Sequence, residues 1–278
     1  MNDVTIGQKL AKLAAYLREL GSVLVCYSGG VDSAFVLAVA ARELGNRAIG
    51  VTAISPSLPQ GELEEAEALA REMRAEHRVV HSNEMGDPRY VANAPDRCFY
   101  CKSELYDIAE EKRREWGLFA MVNGTNCDDL GDYRPGLEAA TKAGVRSPLV
   151  DCGFTKADVR AGSRLLGLRV WDKPAAACLS SRIPYGTAVT TERLAQIGGF
   201  EADLKALGFR QVRVRYHDKL ARVELGEGEI ASAVDSKIRD GIVRAGKKHG
   251  FQYVTLDLGG YRTGSHNEVL VGRSLRIV

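Results

Sequence analysis

The chain has 278 residues, of which 45% are hydrophobic and 27% charged, and its formal net charge is only +2. This composition is ordinary for a globular protein and allows one large domain or two modest ones, each with a buried core. Lysines and arginines are scattered along the chain, which disfavours a constitutive nucleic-acid binder, and no apolar stretch is long enough to cross a bilayer.

The elements predicted for the first half alternate between helix and strand. A helix comes first, because apolar residues recur every three or four positions from Ile6 to Leu20. A short apolar strand at 22–27, typical of a sheet covered on both faces, precedes a helix from Ala34 to Leu44. We further predict strands at 47–53, 77–81 and 118–123 and helices at 62–74 and 102–116. This alternation predicts an α/β fold with a doubly wound parallel sheet.

The pattern changes near residue 174. The segment 173–186 contains two prolines, a glycine and no clean period, so it is predicted to be an ordered loop joining two domains, 1–174 and 175–278. Beyond it we predict helices at 191–207 and 230–248 and strands at 211–216, 221–225 and 253–258. This set is typical of a small α+β domain.

The loop between the first strand and the second helix has a sequence suited to binding phosphates, namely Ser28, Gly29, Gly30, Val31, Asp32 and Ser33. Glycines let the backbone turn sharply and bring N–H groups close to an anion, and the helix start adds unpaired donors. The two serine hydroxyls can donate to phosphate oxygens, and the aspartate can hold Mg²⁺. A tight turn without a ligand is the alternative for a Gly-Gly pair.

This loop is neither a Walker loop nor a dinucleotide-binding loop, because the glycine and lysine spacings of both are absent. It resembles the PP-loop of the ATP pyrophosphatases, the adenine nucleotide alpha hydrolase-like enzymes that split ATP between its α and β phosphates. The resemblance implies that ATP and Mg²⁺ bind here. It also places the adenosine over the strand ends near Thr52 and Ala53 and near Gly124 and Thr125.

Three of the six cysteines form a candidate metal site. Cys98 and Cys101 form a C-x-x-C just before a helix, and Cys178 lies in the irregular interdomain loop. Three thiolates could hold a [4Fe-4S] cluster with one iron open to an outside ligand, which suits sulfur transfer. Structural zinc would need a fourth ligand, for which His77 and His81 are candidates, and a redox pair is a further alternative.

The other three cysteines, Cys26, Cys127 and Cys152, have no such context and are interpreted as structural. Because the first residues lack a secretory pattern and no disulfide framework is expected in a chain of this length, we predict a cytoplasmic protein.

Two arginines of the second domain are candidate ligands for a phosphate. Arg213 and Arg215 alternate with valines along a predicted strand, so both guanidinium groups should lie on one face. Two guanidinium groups can hold a phosphate, whereas cross-strand pairing with a carboxylate such as Glu224 is the alternative.

Together these residues resemble the LarE sulfur transferases, which make the nickel-pincer nucleotide cofactor. The resemblance covers nearly the whole chain. The motifs that carry it are Ser28 to Ser33, Asp132 to Leu137, Cys178 with Ser180 to Thr187, Val212 to His217 and Tyr253 to Arg262.

The resemblance implies that one carboxylate of pyridinium-3,5-biscarboxylic acid mononucleotide is adenylated, and that sulfur then displaces AMP to give a thiocarboxylate. Some family members surrender the sulfur of a single cysteine that matches Cys178. This chain also has Cys98 and Cys101, so it resembles the type in which three cysteines hold [4Fe-4S] and the open iron carries sulfide.

The resemblance also suggests roles for further residues. Cys178, Asp32 and Arg182 are the candidate catalytic residues, with Arg182 a second anion ligand. Arg213 and Arg215 are candidates for the substrate phosphate, and Glu201 and Glu224 match acidic positions that bind metal in the family. A homo-oligomer such as a hexamer is implied, while the sulfur donor is left open.

Two other functions compete with this one. A PP-loop tRNA thiolase also pairs the loop with cysteines, but it commonly carries lysine where this chain has Val31 and needs a basic surface. A non-catalytic adenine-nucleotide sensor with a structural zinc site would release no pyrophosphate. The near-neutral charge and the C-terminal motifs favour the sulfur transferase, acting on a small nucleotide without stable nucleic acid or membrane partners.

Overall fold

A computed structural model describes residues 5–131, 135–174 and 177–262. These residues divide into two compact units. The first runs to Ser55 and takes in Gly61–Tyr90 and the chain from Asp96 to residue 174. The second comprises the chain from Ala177 onward together with two short segments from the first part of the chain, Pro56–Gln60 and Val91–Pro95. The functional division into 1–174 and 175–278 stays a prediction.

The first unit is built on a parallel sheet. Its strands are β1 (Val23–Cys26), β2 (Ala48–Ile54), β3 (Glu76–His81) and β4 (Ala120–Val122). They lie in the order β3-β2-β1-β4, and every pairing is parallel. The chain therefore moves to one side of β1 for two strands and returns to its other side for β4. In such sheets ligands bind beyond the carboxyl ends of the strands at this reversal, which here lies between β1 and β4.

Both faces of this sheet are covered by helices. Val23 and Val25 of β1 belong to one buried cluster together with Phe35, whereas Leu24 belongs to a second cluster together with Met121. Alternate residues of a strand point to opposite faces, so two separate clusters require apolar residues at every position. The continuous apolar run of β1 follows from this.

Helices precede, connect and follow the strands along the first part of the chain. They are α1 (Ile6–Leu20), α2 (Val31–Leu44), α3 (Glu62–Glu72), α4 (Pro88–Val91), α5 (Arg97–Glu115), α6 (Pro135–Lys142), α7 (Pro148–Asp151) and α8 (Lys156–Leu165). Among the helices of the described ranges, none combines the length and the apolar character that a bilayer span requires.

The second unit contains a smaller mixed sheet, in which β5 (Val212–His217) pairs antiparallel with β6 (Leu220–Leu225) and β6 pairs parallel with β7 (Tyr253–Leu256). Its helices are α9 (Thr191–Ala206), α10 (Ile230–Ala233) and α11 (Ser236–Lys248). Phe200 of α9 packs against Phe251, with ring centroids 5.9 Å apart. This sheet with its helices confirms the predicted α+β character of the C-terminal part.

The predicted α/β class and parallel sheet are confirmed, and most strand limits agree within one or two residues. The single helix predicted at 230–248 is wrong, because the Asp235 side chain accepts a hydrogen bond from the Lys237 amide and starts a new helix. A side chain that caps a helix start has non-helical backbone, so the two helices cannot be continuous there.

Candidate active site

The phosphate loop follows β1 and leads directly into α2. Gly30 is the N-cap residue and Val31 is the first helical residue. Gly29 has φ +71°, and a Cβ placed on it would lie 2.9 Å from the Cβ of Ala66, so only glycine fits this turn. The backbone thus presents the unpaired N–H groups of a 14-residue helix to the carboxyl edge of the sheet.

The two serines of the loop are joined by hydrogen bonds across it. The Ser28 amide donates to Ser33 Oγ over 3.1 Å, and the two hydroxyl oxygens are also 3.1 Å apart. The Ser33 hydroxyl lies 3.2 Å from the Gly30 carbonyl oxygen. These neutral contacts hold the loop closed while leaving hydroxyl groups that can turn towards an anion.

Asp32 lies on the first turn of α2, with both carboxylate oxygens in contact with donors. Asn126 Nδ2 donates to Oδ1 over 3.2 Å, and Lys156 Nζ lies 2.5 Å from Oδ2. Lys156 is the first residue of α8, a helix that was not predicted, and it was not a sequence candidate. The Thr155-x-x-Asp158 capping box is the signal that could have located this helix start.

Gly124 follows β4 and brings that strand end against the phosphate loop. A Cβ on Gly124 would lie 2.6 Å from the Ser33 backbone nitrogen, so a side chain cannot be accommodated without moving the loop. Next to it the Thr125 amide donates to Asn123 Oδ1 over 3.0 Å. The predicted pair Gly124 and Thr125 therefore lies at the phosphate loop.

The other predicted adenosine residues lie near the end of β2. The buried Thr52 hydroxyl donates to the Tyr27 carbonyl over 2.8 Å and is 2.8 Å from His77 Nε2. Because the hydroxyl hydrogen is used, His77 donates to the Thr52 oxygen. Burial lowers the pKa of His77, which favours this neutral ring. Ala53 follows on the same strand and is half-buried.

The C-x-x-C pair lies in the first turns of α5. Cys98 is exposed and Cys101 is half-buried, and their three-residue spacing places them on one side of the helix. Cys101 Sγ donates to the carboxylate of buried Glu84 over 3.5 Å, and the hydroxyls of Ser55 and Ser82 donate to the same carboxylate. Sequence patterns gave no reason to single out Glu84.

Cys178 belongs to the second unit and is half-buried just before a 3₁₀ turn at Leu179–Arg182. Its carbonyl oxygen accepts from the Ser181 hydroxyl over 2.8 Å and from Arg182 Nη1 over 2.9 Å. These two hydrogen bonds therefore hold the backbone at Cys178 in place.

Arg182 is almost completely buried and its nitrogens all have protein partners. Nε and Nη2 pair with the two carboxylate oxygens of Glu201 over 2.8 and 3.0 Å. Nη1 donates to the carbonyls of Ala177 and Cys178. This guanidinium therefore positions the segment that carries Cys178, and an anion-binding role for Arg182 stays a prediction.

The two arginines of β5 have different surroundings. Arg215 pairs with buried Glu224 over 2.9 and 2.7 Å, which is the cross-strand pairing that competed with the phosphate prediction. A role for Arg215 in binding the substrate phosphate stays a prediction. Arg213 is half-buried and lies over the Tyr261 ring at 5.2 Å. Burial, and next the charge of Arg182, lower the pKa of Arg213.

Glu201 and Glu224 thus form ion pairs with Arg182 and Arg215. Within the described residues, no three His, Cys, Asp or Glu side chains come together in a group that could hold a metal ion. Residues 132–134 of the second family motif lie outside those residues.

Burial raises the pKa of Cys26 to about 11, so this thiol stays protonated near neutral pH.

Comparison with known proteins assigns the chain to a family. The asparagine synthase family model matches residues 11–98, which include the phosphate loop. Over 272 residues the chain is 39% identical to pyridinium-3,5-bisthiocarboxylic acid mononucleotide synthase of Lactiplantibacillus plantarum, covering 98% of each protein. The chain belongs to the LarE family. This confirms the resemblance based on the sequence motifs.

Two further relatives are uncharacterized proteins. An uncharacterized protein of Synechocystis is 47% identical over 262 residues, covering 94% of this chain and 98% of the relative. An uncharacterized protein of Methanocaldococcus jannaschii is 27% identical over 259 residues, covering 92% and 98%. The LarE chain described here is an ATP-dependent sulfurtransferase with a PP-loop, and the sensor hypothesis is wrong. Its cytoplasmic location and homo-oligomeric state stay predictions.

Proposed function

We propose that this enzyme converts a carboxylate of pyridinium-3,5-biscarboxylic acid mononucleotide to a thiocarboxylate during synthesis of the nickel-pincer nucleotide cofactor. The observation that carries the proposal is the 39% identity, over 98% of both chains, to a synthase of the bisthiocarboxylic acid mononucleotide. A bisthiocarboxylic acid differs from the biscarboxylic acid by replacement of oxygen with sulfur, which is the reaction a sulfurtransferase performs.

The first step is adenylation of the substrate. A carboxylate oxygen attacks the α-phosphorus of ATP, the bond to the bridging oxygen breaks, and pyrophosphate leaves. The N–H groups at the start of α2 and the hydroxyls of Ser28 and Ser33 would bind the departing phosphates. The carboxylate of Asp32, a hard oxygen ligand on the same turn, would hold Mg²⁺, which would neutralise charge on the phosphates.

The second step is transfer of sulfur. A sulfur nucleophile attacks the carbonyl carbon of the adenylate, and AMP leaves with the electrons of the C–O bond. Adenylation is needed because a carboxylate is a poor electrophile and its oxide is a poor leaving group. Cys178 is the proposed site of sulfur delivery, and Arg182 keeps its backbone in place through the Cys178 carbonyl.

We further propose that Cys98, Cys101 and Cys178 hold a [4Fe-4S] cluster. Three thiolates would leave one iron without a protein ligand, and two of the three, Cys98 and Cys101, share one side of α5. When bound, the cluster would supply sulfide as the transferable sulfur. Cys101 would exchange its hydrogen bond to Glu84 for iron, while Glu84 keeps the Ser55 and Ser82 hydroxyls as donors.

Arg213 is the proposed ligand of the substrate phosphate. Arg213 is half-buried over the Tyr261 ring, and the positive charge of Arg182 lies close enough to lower its pKa. A guanidinium group can bind phosphate oxygens through parallel charge-assisted hydrogen bonds. Arg215 would act by anchoring β5 through Glu224.

The proposed function is tested by incubating the anaerobically purified enzyme with the biscarboxylate nucleotide, Mg²⁺–ATP and sulfide. We expect AMP, pyrophosphate and a product heavier by the difference between sulfur and oxygen, all measured by mass spectrometry. Cys178→Ser should abolish the thiocarboxylate but still release pyrophosphate in the first turnover. Absence of AMP from the wild type under these conditions would reject the proposal.

The cluster is tested separately, by iron and acid-labile sulfide analysis after anaerobic purification. We expect about four iron atoms per chain in the wild type, as the cluster type requires, and loss of iron in Cys98→Ala. Cys127→Ala is the control, because Cys127 is half-buried like Cys101 and Cys178 but lies outside the proposed ligand set. An iron-free wild type that still forms product would leave Cys178 itself as the sulfur donor.

A further inference from the structure

Asn93 is a buried polar residue that joins two segments distant in the sequence. It lies in Val91–Pro95, one of the two short stretches from the first part of the chain that belong to the second unit, and none of its surface is exposed. Its Nδ2 group donates to three backbone carbonyl oxygens of one turn, at 3.2, 2.9 and 2.9 Å, those of Ile183, Pro184 and Thr187. An amide group has two hydrogens, so one of them is shared between two acceptors.

The backbone of the same stretch adds two hydrogen bonds to this turn. The Gly186 amide donates to the Asn93 carbonyl over 3.0 Å, and the Val189 amide donates to the Val91 carbonyl over 2.9 Å. Asn93 has φ +56°, in the left-handed region that glycine and asparagine adopt most readily. Glycine alone could build such a backbone, whereas the three carbonyl groups need the amide hydrogens of asparagine.

Each of the two joined segments leads within a few residues to a cysteine of the proposed sulfur-delivery site. On one side, α5 begins four residues after Asn93 and has Cys98 in its first turn. On the other side, the 3₁₀ turn Leu179–Arg182 separates Cys178 from Ile183. Backbone hydrogen bonds span that turn, so the connection from Ile183 to Cys178 is short and ordered.

We infer that Asn93 is a positioning residue for sulfur transfer, because it ties the chain leading into the C-x-x-C helix to the turn that follows Cys178. This inference rests on the proposed function, since it assumes that these cysteines deliver sulfur to an adenylate. Water is the competing nucleophile. If sulfur is misplaced, water attacks the same carbonyl carbon, the carboxylate is restored and AMP leaves without a thiocarboxylate. A displacement of about 1 Å can slow an effectively intramolecular attack about a hundredfold.

The segment of Cys178 is also held at its other end, independently of Asn93. The Leu179 amide donates to the carbonyl of buried Ser57 over 2.8 Å. Ser57 lies in Pro56–Gln60, the other stretch from the first part of the chain that belongs to the second unit. Removal of the Asn93 amide therefore releases one end of the segment while the other end stays bound, and the fold should remain intact.

The fate of the adenylate tests the inference. Asn93→Gly removes the amide and leaves a residue that adopts positive φ without strain. We expect the rate of AMP formation to change less than about twofold, while the ratio of thiocarboxylate to AMP, measured by mass spectrometry, falls about tenfold or more. A residue required only for the turn would leave this ratio unchanged, because glycine satisfies the turn. An unchanged ratio would therefore overturn the inference.

Two control variants change the second unit elsewhere. Asp218 has φ +55°, so Asp218→Gly makes the same backbone change in the turn between β5 and β6. Asp235→Ala also removes a hydrogen bond between a side chain and the backbone, the one that caps α11. We expect both variants to keep the wild-type ratio of thiocarboxylate to AMP. A fall in either one as large as in Asn93→Gly would indicate general loosening and overturn the inference.

Hydrogen exchange of the enzyme without ligands gives a readout that is independent of turnover. In Asn93→Gly we expect faster exchange of the Gly186 and Val189 amides and of the Phe99 amide, which donates to the Asp96 carbonyl at the start of α5. The amides of β5 and β6 should keep their wild-type rates. Faster exchange confined to the Gly186 side would overturn the connection to the C-x-x-C helix.

A milder variant keeps the test decisive if Asn93→Gly does not fold. Asn93→Ser retains one hydroxyl donor, so it should show smaller changes in the same direction, both in the product ratio and in hydrogen exchange. Wild-type values of both in folded Asn93→Ser would overturn the inference. A wild type that forms no AMP would instead reject the proposed function, and hydrogen exchange would still decide whether Asn93 connects the two segments.

Discussion

The paired charges at the phosphate loop and those beside Cys178 in the second unit differ in their access to water. At the phosphate loop, Lys156 and Asp32 are 34% and 24% exposed. In the second unit, Arg182 and Glu201 are 1% and 4% exposed. Arg182 also donates to the Ala177 and Cys178 carbonyls, and Glu201 accepts from the Val214 amide. The distance between the charged groups is similar in both regions, so distance does not separate their roles.

The contrast shows which charges remain available to a ligand. A partly exposed pair loses little when its partners separate, whereas separation of a buried pair leaves an uncompensated charge away from water. Sequence motifs favoured Arg182 and Arg215 as anion ligands, yet both are in buried pairs. The loop pair, which no motif singled out, is partly exposed, so its partners can separate at small cost.

Breaking the buried pair should have the largest effect. We expect Glu201→Gln to lower the free energy of unfolding by about 3–5 kcal/mol, because Arg182 would keep its charge without a carboxylate. Urea denaturation measures this value. Glu138→Gln is the control, since Glu138 and Lys142 form an exposed pair one turn apart, and it should change stability by less than about 0.5 kcal/mol. Similar losses in the two variants would remove the distinction drawn between buried and exposed pairs.

Gly124→Ala should have an intermediate effect that is concentrated at the loop. The added Cβ would lie 2.6 Å from the Ser33 nitrogen, so the backbone of the phosphate loop must shift. We expect a loss of about 1–3 kcal/mol in stability and weaker binding of α,β-methylene-ATP. Gly131→Ala is the matched control, because a Cβ there meets no atom within 4 Å. Normal nucleotide binding by Gly124→Ala would contradict the close fit between β4 and the loop.

The smallest expected effect concerns His77 of β3, whose Nε2 lies 2.8 Å from the Thr52 hydroxyl oxygen. Burial lowers its pKa below the ordinary value of 6.5, so the unfolded chain takes up a proton before the folded one does. The stability contributed by neutral His77 is therefore complete above about pH 6.5 and declines as the pH falls below it. The free energy of unfolding of the wild type should decrease more between pH 7.5 and 5.5 than that of His77→Gln. If the free energies of unfolding of the wild type and of His77→Gln change equally with pH, then His77 has the same pKa in the folded and unfolded states and the prediction is wrong.

Much of the first unit could be predicted from local patterns. The apolar run of β1, the glycine turn and the apolar α2 are contiguous in sequence, and a turn between a buried strand and a helix is determined by neighbouring residues. The family motifs extended the prediction to the C-terminal part, where local patterns alone left the role of the arginines open. The break at Asp235 was missed because a capping aspartate inside an apolar-periodic segment is also compatible with a continuous helix.

The sequence by itself determined the parallel sheet, the position of the phosphate loop at a strand-to-helix turn, and the family, because each depends on residues close together along the chain. Only the tertiary structure decided which charges are paired. Lys156 meets Asp32 across 124 positions, Arg182 meets Glu201 across 19, and Arg215 meets Glu224 across a strand pair. These ion-pair partners are determined by the packing of separate helices and strands. Local sequence patterns do not show how deeply that packing buries the charged groups.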